Sequence, residues 1–327
     1  MLPKIIIVAT GGTIAMRYDP VLGGVFPAAT GAELLELVPP LANICAVEVV
    51  EFSNVPSVYI TPQIMFELAQ TINQLLLRPD VSGIVVTHGT DTLEETAYFL
   101  DLFLNSDKPV CLTAAMRNGT DLSPDGPANI FCAAATAASK AAAGQGVLVV
   151  ANEEIHAARE VTKSHAANPK TFMSPFWGPV GYVDPDRVIF RRLAVDRETL
   201  QPEALSDSVY LVKLVTGTDT FLLDCLAEKP EIGGVVIEAF GRGNVPPAIL
   251  PSLKKLLDRN IPVVLTSRVF GGRVLDVYGY EGAAKTLKNL GVILGGEISG
   301  PKARIKLLLA LGLTRDRQEL QKYFDTP

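Results

Sequence analysis

Thr13 stands directly behind a glycine pair in Ala9-Thr10-Gly11-Gly12-Thr13-Ile14-Ala15, and that loop follows the apolar run 4–8. A second polar loop, Thr87-His88-Gly89-Thr90-Asp91-Thr92, follows the apolar run 83–86. Glycine lets a backbone approach a ligand closely. In an open α/β sheet, ligands bind outside the carboxyl ends of the strands, which is where both loops open. Together they place two threonine hydroxyls and a carboxylate around one small cavity. A threonine hydroxyl attacks only after a neighbouring base takes its proton, so this layout points to a hydroxyl-nucleophile enzyme.

Each of these residues also has a plainer role open to it. Thr13 fits a turn threonine that caps a backbone group. The glycine pair lacks the third glycine of a dinucleotide loop, and no Lys-Ser/Thr pair follows as in a P-loop. Asp91 or Thr92 fits the N-cap of a helix over 93–104, with Glu94 and Glu95 at its positive end. Lys163, in Arg159-Glu160-Val161-Thr162-Lys163-Ser164, is a solvated loop lysine unless it reaches Asp91, where it becomes a candidate base for a threonine. His88, His156 and His165 lack zinc-ligand spacing, and His88 reads as a core residue behind the site.

The elements that must hold these loops alternate short apolar runs with helical patterns. Strands are expected at 4–9, 46–52, 83–87, 109–113 and 146–150, with helices near 31–38, 61–77, 92–104 and 127–142. Such alternation argues for parallel strands joined by helical crossovers. From 168 to 192 the pattern breaks into Pro, Gly and aromatic residues, including Trp177. Further strands are expected at 209–215, 233–238, 261–266 and 291–294, with helices near 220–228, 247–259, 281–290 and 301–311. The expected fold class is α/β. A larger N-terminal, mostly parallel sheet domain at 1–192 has helices on both faces, a linker spans 193–208, and a smaller α/β domain follows at 209–327.

Of the 327 residues, 48% are apolar, enough for a sizeable core, and the formal net charge is -6. Neither the charge nor any Lys/Arg run supports nucleic-acid binding. No apolar stretch is long enough to span a membrane. The chain enters a strand at Lys4 with no signal peptide ahead of it, so a cytoplasmic protein is expected. Cys45, Cys111, Cys132 and Cys225 lie in or beside apolar segments and read as buried free thiols.

With both loops present in order, followed by Glu94-Glu95-Thr96-Ala97-Tyr98, the chain resembles the bacterial-type L-asparaginases, the asparaginase/glutaminase family. The likeness extends to Pro301-Lys302-Ala303-Arg304, which is essentially the whole chain. It implies that Thr13 is the primary nucleophile and that Thr90, Asp91 and Lys163 form a second triad. Ser57, in Asn54-Val55-Pro56-Ser57, would hold the substrate α-carboxylate, and Asp91 its α-amino group. Gly89 and the backbone N–H groups of Gly12 and Thr90 would line the substrate and its oxyanion. Asn244, in Gly241-Arg242-Gly243-Asn244, would enter a site across a dimer interface, in a homo-oligomer built as a dimer of dimers.

The resemblance implies hydrolysis of L-asparagine to L-aspartate and ammonia through a threonine acyl-enzyme, without cofactor or metal. L-Glutamine is an alternative substrate. Two other roles stay open: the ammonia-releasing subunit of a tRNA-dependent amidotransferase, and a non-catalytic amino-acid sensor. Three positions depart from the family pattern. Phe26 stands where the family carries a loop tyrosine, leaving Tyr18 to supply a hydroxyl. Val58 replaces a glutamine after the serine, and Glu281 is the candidate for the glutamate contributed by a neighbouring subunit, or else an N-terminal residue of the helix that follows. Gly23 and Gly24 are expected to hinge a lid over 17–28 that orders on substrate binding.

Overall fold

Four consecutive isoleucine and valine residues, Ile5 to Val8, are all but inaccessible to solvent, as only a central strand covered on both faces allows. The computed structural model describes residues 2–27, 29–194, 197–205 and 208–325, with 25–27 described as backbone. It divides into two units, 1–199 and 200–327, so the division falls inside the stretch expected to be a linker.

The strands of the first unit are β1 (Lys4–Gly11), β2 (Met16–Asp19), β3 (Gly24–Pro27), β4 (Ala46–Val55), β5 (Gly83–Thr87), β6 (Val110–Thr113), β7 (Val147–Ala151), β8 (Glu154–Ala157), β9 (Thr162–Lys163), β10 (Phe172–Met173), β11 (Gly181–Asp184) and β12 (Arg187–Phe190). Its helices are α1 (Gly31–Glu36), α2 (Pro62–Leu76), α3 (Leu93–Phe103) and α4 (Gly126–Ala138). Eight strands form the main sheet in the order β12-β11-β8-β7-β6-β5-β1-β4. The stretch from β4 to β7 is parallel, and β8, β11 and β12 continue it antiparallel. Ile130, Ala133, Ala134 and Ala137 of α4 pack on the side of the sheet that carries Ile5, Ile7, Val85, Cys111 and Leu148. α2 starts with Thr61 accepting the Ile64 N–H and Pro62 at its first turn, where a missing N–H costs nothing.

The second unit has a four-stranded parallel sheet, β13 (Ser208–Lys213), β14 (Ile232–Ala239), β15 (Val263–Ser267) and β16 (Ile293–Leu294), in that order. Around it run α5 (Phe221–Glu228), α6 (Leu250–Asp258), α7 (Ala284–Asn289), α8 (Gly300–Leu311) and α9 (Arg317–Asp325). Leu223, Leu253, Leu256 and Leu287 fill a core with Val235, Ile237 and Val263 of the sheet.

Several expectations need correction. The break at 168–192 contains β10, β11 and β12; these strands are two to four residues long, too short for a clear alternating pattern. α9 and the β2–β3 hairpin were likewise not read from the sequence. Gly23 and Gly24 do not sit at the base of a lid. Gly23, at φ 66°, closes the hairpin tip, with its N–H donating to Asp19 O at 2.9 Å. Cys225 is exposed whereas the other three thiols are buried. On α5 the inward positions are Leu223 and Ala227, four residues apart, which turns residue 225 outward.

Candidate active site

The two loops interlock through their glycines. β1 and β5 are parallel neighbours in register at Ala9 and Thr87, so the loops leave the sheet side by side. Gly12 has φ 83°, and a Cβ there would lie 2.3 Å from both Cα and N of Gly89. Gly11, at φ 101°, approaches Val55 of β4 in the same way, with 2.4 Å from a Cβ to Val55 N. Thr10 Oγ1 donates to Thr87 O at 2.8 Å and Ser53 Oγ donates to Thr10 O at 3.0 Å, fastening the strand ends on either side.

Gly12 donates its N–H to Val55 O at 3.1 Å. That donor is spent on the β1–β4 junction, which corrects its assignment as part of an oxyanion hole. Thr13 begins a single 3-10 turn, Thr13–Ala15, and is half-buried. The N-cap of that turn is Gly12, so Thr13 does not cap it, and among the described residues the Thr13 hydroxyl makes no hydrogen bond.

Thr90 is buried, 6% exposed, whereas the Asp91 side chain is 58% exposed. Lys163, on β9, reaches both: its Nζ donates to Thr90 Oγ1 at 2.9 Å and to Asp91 Oδ1 at 2.6 Å. The lysine left open as a solvated loop residue is thus 16% exposed in its side chain and tied to the second loop. Ser57 is buried under Gly89, where a Cβ would meet Ser57 Oγ at 2.6 Å. Ser57 Oγ accepts the Asp91 N–H at 3.3 Å, and Ser57 O accepts the Thr92 hydroxyl at 2.8 Å. Thr92 therefore holds the N-cap position of α3 without capping it, its hydroxyl being committed to Ser57.

His88 lies wholly inside, with Nδ1 2.8 Å from Gly89 O and Nε2 without a partner among the described residues. Burial pushes its imidazole down to about 4, against a weaker opposing effect of the Gly89 bond. A neutral ring thus supports the loop from behind. Among the described residues, no three His, Cys, Asp or Glu side chains are grouped to hold a metal ion.

Tyr18, on β2, is 52% exposed; its N–H donates to Thr120 Oγ1 at 3.2 Å, and among the described residues its hydroxyl bonds nothing. The Phe26 side chain lies outside the described residues. Asn244 and Glu281 belong to the second unit, where their loops touch: Val245 N–H donates to Gly282 O at 2.8 Å. Asn244 Oδ1 is buried and has no hydrogen-bond partner among the described residues. Glu281 is exposed and lies in a turn before α7, whose first turn holds no acid, so it is not the helix-terminal residue that the sequence allowed.

Sequence reasoning missed Thr10 and Ser53, whose roles depend on strand neighbours far apart in the chain. It also read Glu94 only as a first-turn acid. Its position three residues after Asp91 was a signal, because it places the carboxylate on the same loop–helix junction.

Two family models match in succession, "Asparaginase, N-terminal" over residues 4–195 and "Glutaminase/Asparaginase C-terminal domain" over 208–324. The chain belongs to the asparaginase family. It is 38% identical to a probable L-asparaginase of Deinococcus radiodurans, over 99% of this chain and 97% of that one. It is 36% identical to a probable periplasmic L-asparaginase of Haemophilus influenzae, over 99% and 93% of the two chains. The crystal structure of a probable cytoplasmic L-asparaginase from Campylobacter jejuni superposes with a TM-score of 0.91 at 32% identity, covering 99% of this chain and 100% of that one. This asparaginase-family chain has the mixed α/β architecture of that relative, a large mostly parallel sheet followed by a smaller parallel one.

Proposed function

We propose that the protein is an L-asparaginase that hydrolyses L-asparagine to L-aspartate and ammonia, with L-glutamine as a second substrate. The observation that carries this reading is Lys163 Nζ bonded to both Thr90 and Asp91, beside a loop that carries the Thr13 hydroxyl. Its family and its relatives also carry the name asparaginase.

Thr13 Oγ attacks the side-chain amide carbon, forming a C–O bond, and its proton passes to the departing nitrogen, which leaves as ammonia. Water then attacks the resulting ester and restores the Thr13 hydroxyl as aspartate departs. Lys163 handles protons at Thr90, and Asp91 keeps its amine in place while gripping the substrate α-amino group. Ser57 receives the α-carboxylate, and Gly89 leaves room for the substrate. The Thr90 N–H, which bonds nothing among the described residues, stabilises the oxyanion. Removing such a donor typically costs about 2.7–4 kcal/mol of transition-state stabilisation.

The protein acts as a homo-oligomer, a dimer of dimers, in which Asn244 and Glu281 serve a neighbouring protomer's site. The exposed apolar residues Val215, Val269 and Phe270, which follow the carboxyl ends of β13 and β15, support this. Among the described residues no helix is long and apolar enough to cross a membrane. A cytoplasmic location agrees with the Campylobacter relative, described as a probable cytoplasmic L-asparaginase, while the Haemophilus relative is named periplasmic.

Ammonia release from asparagine and from glutamine, measured for wild type, Thr13→Ala and Thr90→Val, tests this reading. Wild type should turn over asparagine, and each substitution should lower kcat at least about a thousand-fold. Full activity in Thr13→Ala would overturn the nucleophile assignment. A wild type that binds aspartate but releases no ammonia would overturn the enzyme reading in favour of a sensor.

A further inference from the structure

The geometry points to Glu94 as the positioning residue of Lys163, an inference that rests on the proposed role of Lys163 in the second triad. Lys163 lies on β9, a strand of two residues whose ladder partner β10 is equally short. Such a ribbon cannot fix a side chain by itself, because two-stranded pairs are marginal in water. The neighbouring residue Ser164 faces β10, donating its N–H to Thr171 O at 2.7 Å. Lys163 sends its own N–H the other way, to Glu94 Oε2 at 2.8 Å.

Glu94 is half-buried in the first turn of α3, three residues beyond Asp91. The loop–helix junction 90–94 therefore holds the lysine at both ends, its main chain by Glu94 and its ammonium by Thr90 and Asp91. Among the described residues no ion pair within 4.0 Å joins Glu94 to the ammonium, whose carboxylate partner is Asp91. Glu94 thus acts on where the lysine starts rather than on its charge. A lysine side chain has four rotatable carbons, so a fixed starting point is what keeps Nζ within bonding distance of Thr90 without further ordering cost.

A first-turn carboxylate also favours the positive end of a helix, and the amide isostere separates that role from positioning. Glu94→Gln keeps an acceptor for the Lys163 N–H and loses the charge, whereas Glu94→Ala loses both. Asparagine hydrolysis by Glu94→Ala should show kcat reduced about 10- to 100-fold with KM changed by less than about threefold, as expected for misplacement of a catalytic group. Glu94→Gln should restore kcat to within about threefold of wild type. Lys163→Met added to Glu94→Ala should cost far less than in the wild-type background, because the two residues act as one.

Wild-type kcat in Glu94→Ala, equal losses in the alanine and glutamine variants, or losses that simply multiply in the double variant would each overturn the inference. Amide hydrogen exchange over 159–164 reads the contact without any turnover. Protection present in wild type and Glu94→Gln but lost in Glu94→Ala supports the anchor, and unchanged protection in Glu94→Ala sinks it. An inactive wild type with that protection pattern would therefore count against the asparaginase reading alone.

Discussion

Gly12 and Gly89 touch backbone to backbone, since a Cβ on Gly12 would fall 2.3 Å from Gly89 Cα and N. Main chain cannot yield as a flexible side chain does, and φ 83° adds strain for any L residue. Gly12→Ala should therefore destabilise the protein by about 3 kcal/mol or more and abolish activity. At Gly89 the nearest group is the Ser57 hydroxyl, 2.6 Å from a Cβ, so Gly89→Ala should displace Ser57 and raise KM more than it lowers stability. Denaturant unfolding alongside steady-state kinetics checks both, and a Gly12→Ala protein with wild-type stability would contradict the interlock.

The hairpin of β2 and β3 follows the nucleophile turn directly and carries Tyr18 half in solvent. If it closes over Thr13 with substrate, L-aspartate should slow limited proteolysis within 17–27, and Tyr18→Phe should lower kcat while leaving the fold intact. Equal cleavage with and without aspartate would remove the lid. An unchanged kcat in Tyr18→Phe would remove the tyrosine from the chemistry.

His88 gives a pH dependence whose sign is fixed by its burial. Its folded-state value, about 4, lies below the ordinary 6.5. Between those values the unfolded chain holds more protons than the folded one, so stability rises with pH. The stabilisation from a neutral His88 is complete above about pH 6.5 and is lost as the pH falls towards 4, on the order of 3 kcal/mol across the window. Unfolding free energies at pH 7.5 and 4.5 should therefore differ less in His88→Asn than in wild type. His156, also pushed down to about 4 chiefly by burial, retains part of the slope. An identical slope in the two proteins would refute the assignment.

The central strands β1 and β5 were legible in the sequence because they are buried on both faces and read as apolar runs, as 5–8 and 83–86 do. Thr13 and the Thr90–Asp91 pair were legible too, because glycines and polar residues at strand ends stand out against those runs. The strands between 172 and 190 were not, since each is too short to display a period.

By itself, the sequence determined which chemical groups the protein has and that two loops at strand ends carry them. Only the tertiary structure decided how those groups are used. It gave the Gly12 N–H to Val55 and, among the described residues, no hydrogen-bond partner to the Thr13 hydroxyl. It also brought Lys163 to Thr90 and Asp91 across more than seventy residues of chain, with Glu94 at its main chain. Such hydrogen bonds join residues distant in sequence, so they depend on how whole strands pair, and a one-residue change of register would point each side chain to the opposite face.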